Sequence, residues 1–391
     1  MNVDAFASRY LEERSRAGLL RSLVTLESAQ GRLIIIDSKK LLNFCSNNYL
    51  GLADDPRLKE AAIEAIKNYG TSSASSRLIC GTLTLHKQLE EKIASFKKSQ
   101  AALVFNSGYV ANLGIISSLA DKDSIIFSDR LNHASIVDAI ILSRAKLIRY
   151  NHNSPGHLEE LLNKHIQVEN KFIVTDSVFS MDGDLADLKA ITQIAARSKA
   201  TLIIDEAHAT GVFGPTGAGL AEKLGVSGDI DIQMGTLSKG LGSFGAFVCA
   251  SKGLIDYFIN ASRPFIYTTS LPPASLAASL KAIEIVEKEP QRRELLWKNI
   301  NFAREALVDM GFDCGTSSSA IIPIMIGDNK LTMQFSEKLF EIGLFIQGVR
   351  PPTVPEGKAR LRLTVTSSHT KDDLGCLLEA MKKTAQELAV I

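Results

Sequence analysis

Asp205 closes the run Thr201-Leu202-Ile203-Ile204, where a buried parallel strand would deliver its last side chain to the carboxyl edge of a sheet. Ligands of open α/β sheets bind at that edge. The segment continues Glu206-Ala207-His208, which sets a second titratable group three residues away at the same rim. Taken alone, Asp205 could equally cap a helix and His208 could be a surface residue. Downstream lies Gly235-Thr236-Leu237-Ser238-Lys239-Gly240-Leu241-Gly242-Ser243-Phe244-Gly245, a lysine hemmed in by small residues, two hydroxyls and several glycines. An amine partly desolvated in such a loop has a lowered pKa and can form an imine with an aldehyde, whereas a free lysine near about 10.4 is almost wholly protonated. A solvated lysine in a flexible turn is the plain alternative.

A third constellation is Phe105-Asn106-Ser107-Gly108-Tyr109-Val110-Ala111-Asn112, a strand end, a tight turn and a helix start. The amides of Gly108 and Tyr109 there form an anion seat suited to phosphate. His133, in Asn132-His133-Ala134-Ser135, follows the next strand and should face the same rim. A phosphate seat, a ring-facing histidine, a strand-end carboxylate and an imine-forming lysine are together what pyridoxal 5'-phosphate requires, because an aspartate keeps its ring nitrogen protonated as an electron sink. Gly240, Gly242 and Gly245 also fit GxGxxG spacing, but a dinucleotide fingerprint needs a strand before the glycines and a helix after them, and here a strand follows. The chain has no GxSxG, HExxH or P-loop motif, so hydrolase, zincin and P-loop chemistries have no anchor, and no metal site is expected.

The elements that must position these residues are readable between residues 100 and 250. Ala101–Phe105, Ser124–Phe127, Lys146–Tyr150, Phe172–Thr175, Thr201–Ile204 and Ala246–Cys249 read as strands. Val110–Leu119, Ser135–Ser143, His157–His165 and Leu188–Ser198 carry apolar residues at helical spacing. Crossovers of that length imply a mainly parallel sheet, hence an α/β fold. After Pro290 come a charged helix over Arg292–Asp309, a strand at Ile321–Ile326, a helix near Leu331–Ile342, an extended Arg360–Val365 and a helix from Lys371, which together read as a smaller α+β domain. The expected organisation is an N-terminal segment over residues 1–50, a large domain over 51–290 and a small domain over 291–391.

Composition excludes several other classes. Of 391 residues, 44 are basic and 43 acidic, a net charge of +1 that argues against electrostatic nucleic-acid binding. The hydrophobic fraction of 45% and charged fraction of 22% are those of a globular protein. The longest aliphatic run, Leu33–Ile36, is too short to cross a bilayer, and Asp4 precedes any basic residue, unlike a signal peptide. A cytoplasmic location without membrane partners is therefore expected. Five scattered cysteines suggest no disulfide framework, and most are expected to be buried.

The chain resembles the α-oxoamine synthases, fold-type I pyridoxal-phosphate transferases that condense an amino acid with an acyl thioester. The likeness runs nearly end to end through Asn47-Asn48-Tyr49-Leu50-Gly51-Leu52, Ser76-Arg77-Leu78-Ile79-Cys80-Gly81-Thr82, Asn132-His133-Ala134-Ser135, Phe179-Ser180-Met181-Asp182-Gly183-Asp184, Asp205-Glu206-Ala207-His208 and Thr236-Leu237-Ser238-Lys239. It implies that Lys239 holds the cofactor and moves the α-proton, that Asp205 pairs with the ring nitrogen, and that His133 stacks on the ring. It further implies that His208, Ser180 and Thr236 contact the ring oxygen and phosphate, seated on Gly108 and Tyr109. By the same likeness the enzyme is a homodimer whose Thr268 and Thr269 reach the partner's phosphate. Arg362 and Asn47 would take the amino acid's carboxylate, and Arg21 and Thr353 would line the acyl side. The opening Arg350-Pro351-Pro352-Thr353 resembles members that join L-alanine to a pimeloyl thioester. Cys80-Gly81 and Asn132 occur also in members that use glycine and acetyl-CoA, which keeps that alternative open, and a non-catalytic or nucleotide-binding α/β protein is the alternative from another class.

Overall fold

The computed structural model describes residues 2–391, which divide into two compact units. Asn48–Ser180 and Asp184–Leu295 form the first. The second comprises the chain up to Asn47, Met181–Gly183 and Leu296–Ile391.

The first unit is built on a seven-stranded sheet. Its strands are β1 (Ala101–Phe105), β2 (Ile125–Asp129), β3 (Lys146–Tyr150), β4 (Lys171–Asp176), β5 (Thr201–Asp205), β6 (Ile232–Thr236) and β7 (Ala246–Ala250). They lie in the order β1-β7-β6-β5-β4-β2-β3. β3, β2, β4, β5 and β6 run parallel, and β7 is antiparallel to both neighbours, so β1 again points the same way as β6. The carboxyl ends of β1, β2, β4, β5 and β6 therefore share one edge, and the order reverses beside β2, where such sheets bind ligands.

Helices Gly108–Leu119, Ala134–Ser143, Pro155–Lys164 and Leu188–Ser198 lie close to the expected spans. The first two pack on each other and on the sheet through Ala111, Ile115, Ile136, Ala139 and Ile140, all fully buried. Helices Pro56–Tyr69, Thr84–Lys97, Lys252–Ala261 and Pro273–Lys288 complete the layers. β6 is absent from the sequence reading because Ile232-Gln233-Met234-Gly235-Thr236 interrupts its apolar residues with Gln and Gly. The glycine has a steric reason: a Cβ on Gly235 would lie 2.4 Å from Cζ of Phe247 on the adjacent β7.

In the second unit, Leu33–Ile36 and Lys39–Asn43 form a hairpin joined in parallel by Leu344–Phe345. A separate antiparallel sheet pairs Ala359–Thr364 with Ile321–Gly327 and Gln347–Val349. Helix Asn329–Glu341 packs on these strands and on helix Lys371–Glu387, the latter opened by a Thr370/Asp373 capping box. Among the described residues no helix is long and apolar enough to cross a membrane. The expectation for the cysteines is corrected: Cys249 and Cys314 are buried, Cys45 is half-buried, but Cys80 and Cys376 lie in exposed segments where no core packs over them.

Candidate active site

Lys239 stands in the turn that links β6 to β7. Gly245, with φ at +115°, admits the backbone where a Cβ would meet Leu271 at 2.9 Å, and β7 begins immediately after it. No helix opens there, which agrees with rejecting a dinucleotide fingerprint. The Thr236 hydroxyl donates to the Gly245 carbonyl at 3.0 Å and accepts the Ser238 amide at 3.2 Å, so it braces the lysine's turn. Nζ of Lys239 lies 2.9 Å from Nε2 of His208, whose Nδ1 lies 2.7 Å from the Tyr49 hydroxyl. When Lys239 is an ammonium it can only donate, so Nε2 accepts and the ring proton sits on Nδ1 facing Tyr49.

Asp205 is buried at the end of β5. Its Oδ2 accepts from Asn112 Nδ2 at 2.9 Å and its Oδ1 from the Ala207 amide at 2.8 Å, which fixes the carboxylate plane. Asn112 Nδ2 also reaches the Ser135 hydroxyl at 2.9 Å, and that hydroxyl lies 2.8 Å from Nδ1 of His133. A continuous polar chain thus runs Asp205, Asn112, Ser135, His133. His133 caps the Ala134–Ser143 helix, and Nδ1 accepts the Ser135 amide at 3.3 Å. A ring that accepts at Nδ1 carries its proton on Nε2 and can donate there. Burial depresses the His133 imidazole below its usual pKa, opposed in part by the charge of Asp205.

Asp176, at the end of β4, sits beside Asp205 in register. Burial and the Asp205 charge push its carboxyl well above the usual carboxylate range, while the His133 amide, donating to its Oδ2 at 2.7 Å, works the other way. Asn132 ties the same loops by donating to the Val174 carbonyl at 2.7 Å and accepting the Asp176 amide at 2.9 Å.

Gly108 and Tyr109 open the Gly108–Leu119 helix, where the first amides have no intrahelical acceptor. The Tyr109 side chain turns away and its hydroxyl bonds Asp138, so only its backbone remains for an anion. Asn106 at the mouth of the same turn donates to Thr268 Oγ1 at 3.2 Å and to the Thr269 carbonyl at 2.8 Å. Ser180 is half-buried at the end of the segment that follows β4.

The remaining expected residues belong to the second unit, where they come together in two pairs. Arg362 donates to Asn47 Oδ1 at 3.2 Å, and Arg21 donates to Thr353 Oγ1 at 3.2 Å. Sequence reasoning missed the parts played by Asn112, Ser135, Asp176 and Tyr49. Asn112, Ser135 and Tyr49 lay inside recognised segments, but only the fold shows what they touch.

Comparison with known proteins shows the family. The profile of the aminotransferase class I and II family matches residues 39–381. The 8-amino-7-oxononanoate synthase of Geobacter metallireducens is 50% identical over 383 residues, which cover 97% of this chain and 98% of that protein. Among solved structures, a single-substitution variant of the serine palmitoyltransferase of S. paucimobilis with a bound PLP–myriocin aldimine superposes with a TM-score of 0.95 at 31% identity, covering 100% of both chains. The 8-amino-7-oxononanoate synthase of Francisella tularensis gives a TM-score of 0.77 at 32% identity, over 89% of this chain and 98% of that one. The matched profile spans most of the chain and the oxononanoate synthases align with it nearly end to end: the chain belongs to the class I and II aminotransferase family, and within it to the group of the 8-amino-7-oxononanoate synthases.

Proposed function

We propose that this chain is a pyridoxal-phosphate enzyme of biotin biosynthesis that condenses L-alanine with a pimeloyl thioester. The products are 8-amino-7-oxononanoate, carbon dioxide and the free thiol carrier. The observation that carries the reading is the convergence, at one sheet edge, of the Lys239 amine, the doubly bonded Asp205 carboxylate and the His133 ring. The residues fit the cofactor: a lysine in a braced turn, a buried carboxylate for a ring nitrogen, and helix amides for a phosphate. When bound, the cofactor supplies an electron sink for negative charge at the amino acid's α-carbon.

The chain's own residues divide the remaining work. Lys239 would hold the cofactor through its amine, which would also take the amino acid's α-proton; His208 and Tyr49 orient that amine. Asp205, anchored by Asn112, would pair with the cofactor's ring nitrogen and keep it protonated. His133 would lie against the cofactor ring, and its Nε2 proton would be available to an oxyanion at the thioester carbon. Ser180, His208 and Thr236 would complete the ring-oxygen and phosphate surroundings, and the amides of Gly108 and Tyr109 would seat the phosphate. Arg362 with Asn47 receives the carboxylate, a planar task suited to a guanidinium. Arg21 and Thr353 line the path of the acyl group. The enzyme acts as a cytoplasmic homodimer in which Thr268 and Thr269 serve the partner's phosphate.

The test is borohydride reduction of the PLP-loaded protein, peptide mapping, and product analysis with two substrate pairs. Label on the peptide containing Lys239, lost in Lys239→Ala, together with turnover of L-alanine and pimeloyl-CoA, supports the assignment. Turnover with glycine and acetyl-CoA alone would move the protein to the other branch. Absence of label would remove the cofactor chemistry altogether.

A further inference from the structure

His152 has no part in the proposed reaction, yet it joins two of the loops that carry it. Its Nδ1 lies 3.0 Å from Asp129 Oδ1 and its Nε2 lies 2.9 Å from Asp184 Oδ2. Asp129 ends β2 and accepts the Leu131 amide at 2.8 Å and the Asn153 amide at 2.8 Å, so it organises the turn that leads to His133. Asp184 closes the loop opened by Phe179 and Ser180, and its carbonyl accepts the Phe179 amide at 3.1 Å. The Phe179 ring meets His152 edge-on with centroids 4.4 Å apart. Asn153 extends the same junction by donating to the Leu185 carbonyl at 2.7 Å.

Carboxylates only accept hydrogen bonds, and a neutral imidazole has a single N–H. With a carboxylate oxygen at each ring nitrogen, both contacts are satisfied only by an imidazolium. A neutral ring would aim a lone pair at one of two carboxylates whose side chains are just 1% and 7% exposed. Burial pulls the imidazole down, but Asp129 and Asp184 together outweigh it and raise the pKa to about 10. These two are the charged groups that face the ring.

We infer that His152 is a positioning residue, a charged clasp that holds the loop bearing His133 against the loop bearing Ser180. It acts through those residues and touches no reacting atom. The inference rests on the reading of His133 and Ser180 as cofactor contacts, and one arm of its test is independent of that reading. In the folded protein at about pH 8, where a free imidazole is neutral, ring ¹⁵N shifts should show both nitrogens of His152 protonated. A single neutral tautomer overturns the charged clasp whether or not the enzyme turns over any substrate. In His152→Gly, kcat should fall roughly tenfold or more, the usual scale for groups that orient functional side chains, and imidazole in the buffer should restore part of it. An unchanged kcat, or a loss that imidazole does not relieve in a folded variant, overturns the positioning role. Should His152→Gly fail to fold, Asp184→Asn keeps the shape and removes one charge. The His152 titration midpoint should then drop by roughly one unit or more, and an unmoved midpoint refutes the mechanism.

Discussion

Lys97 and Glu206 form an ion pair whose side chains are 1% and 0% exposed, directly beside Asp205. The ammonium also donates to the Ala218 carbonyl, and the second Glu206 oxygen accepts the Ala221 amide at 2.9 Å. Lys97→Met removes the cation and leaves Glu206 charged in a dry site, still accepting that amide. Breaking a buried pair on one side costs about 3–5 kcal/mol, a large share of the roughly 5–15 kcal/mol that holds a typical domain folded. Adding Glu206→Gln removes the stranded charge, so only an imperfectly satisfied amide remains, at about 1–3 kcal/mol. Urea unfolding followed by far-UV circular dichroism should therefore rank wild type above the double variant and the double variant above Lys97→Met. The reasoning is refuted if the single variant loses less than about 1 kcal/mol, or if the second substitution makes matters worse.

Two further outcomes follow from the site. Asn112→Ala removes a donor to the Asp205 carboxylate, a bond to a charged group worth about 1.5–3 kcal/mol, so the dissociation constant for PLP should rise roughly 10- to 150-fold in an absorbance titration; a change within about twofold would detach Asn112 from cofactor binding. For His152, the folded pKa of about 10 lies above the ordinary imidazole value of 6.5, so its stabilisation is complete below about 6.5 and fades as pH rises through 10. Denaturation midpoints should decline across that window in wild type and much less in Asp184→Asn; equal declines would assign the alkaline loss to other groups.

The parts of the site written in the sequence are those punctuated locally. Asp205 ends an apolar run and Lys239 sits among glycines, so strand end and turn are visible without the fold. The order β1-β7-β6-β5-β4-β2-β3 was not visible, because it depends on which runs pair at long range. Asp176 illustrates the difference. It too ends a strand, but its significance arises from lying beside Asp205 across the β4–β5 register, which no spacing in the chain reports. Asn112 is one turn into a helix whose apolar residues run almost all round it, so helical periodicity does not single out the face that meets Asp205. β7 was readable as a strand but not as the antiparallel member, since its direction follows from the short turn at Lys239 bringing the chain straight back.

β3 borders the sheet on one side, and it is the least buried of the seven strands. Its unpaired backbone groups are a template on which a foreign strand could grow. Lys146 and Arg149 stand on it, and Lys146 is exposed. Stacking a second copy there would bring like charges together, so this rim resists fibrillar growth.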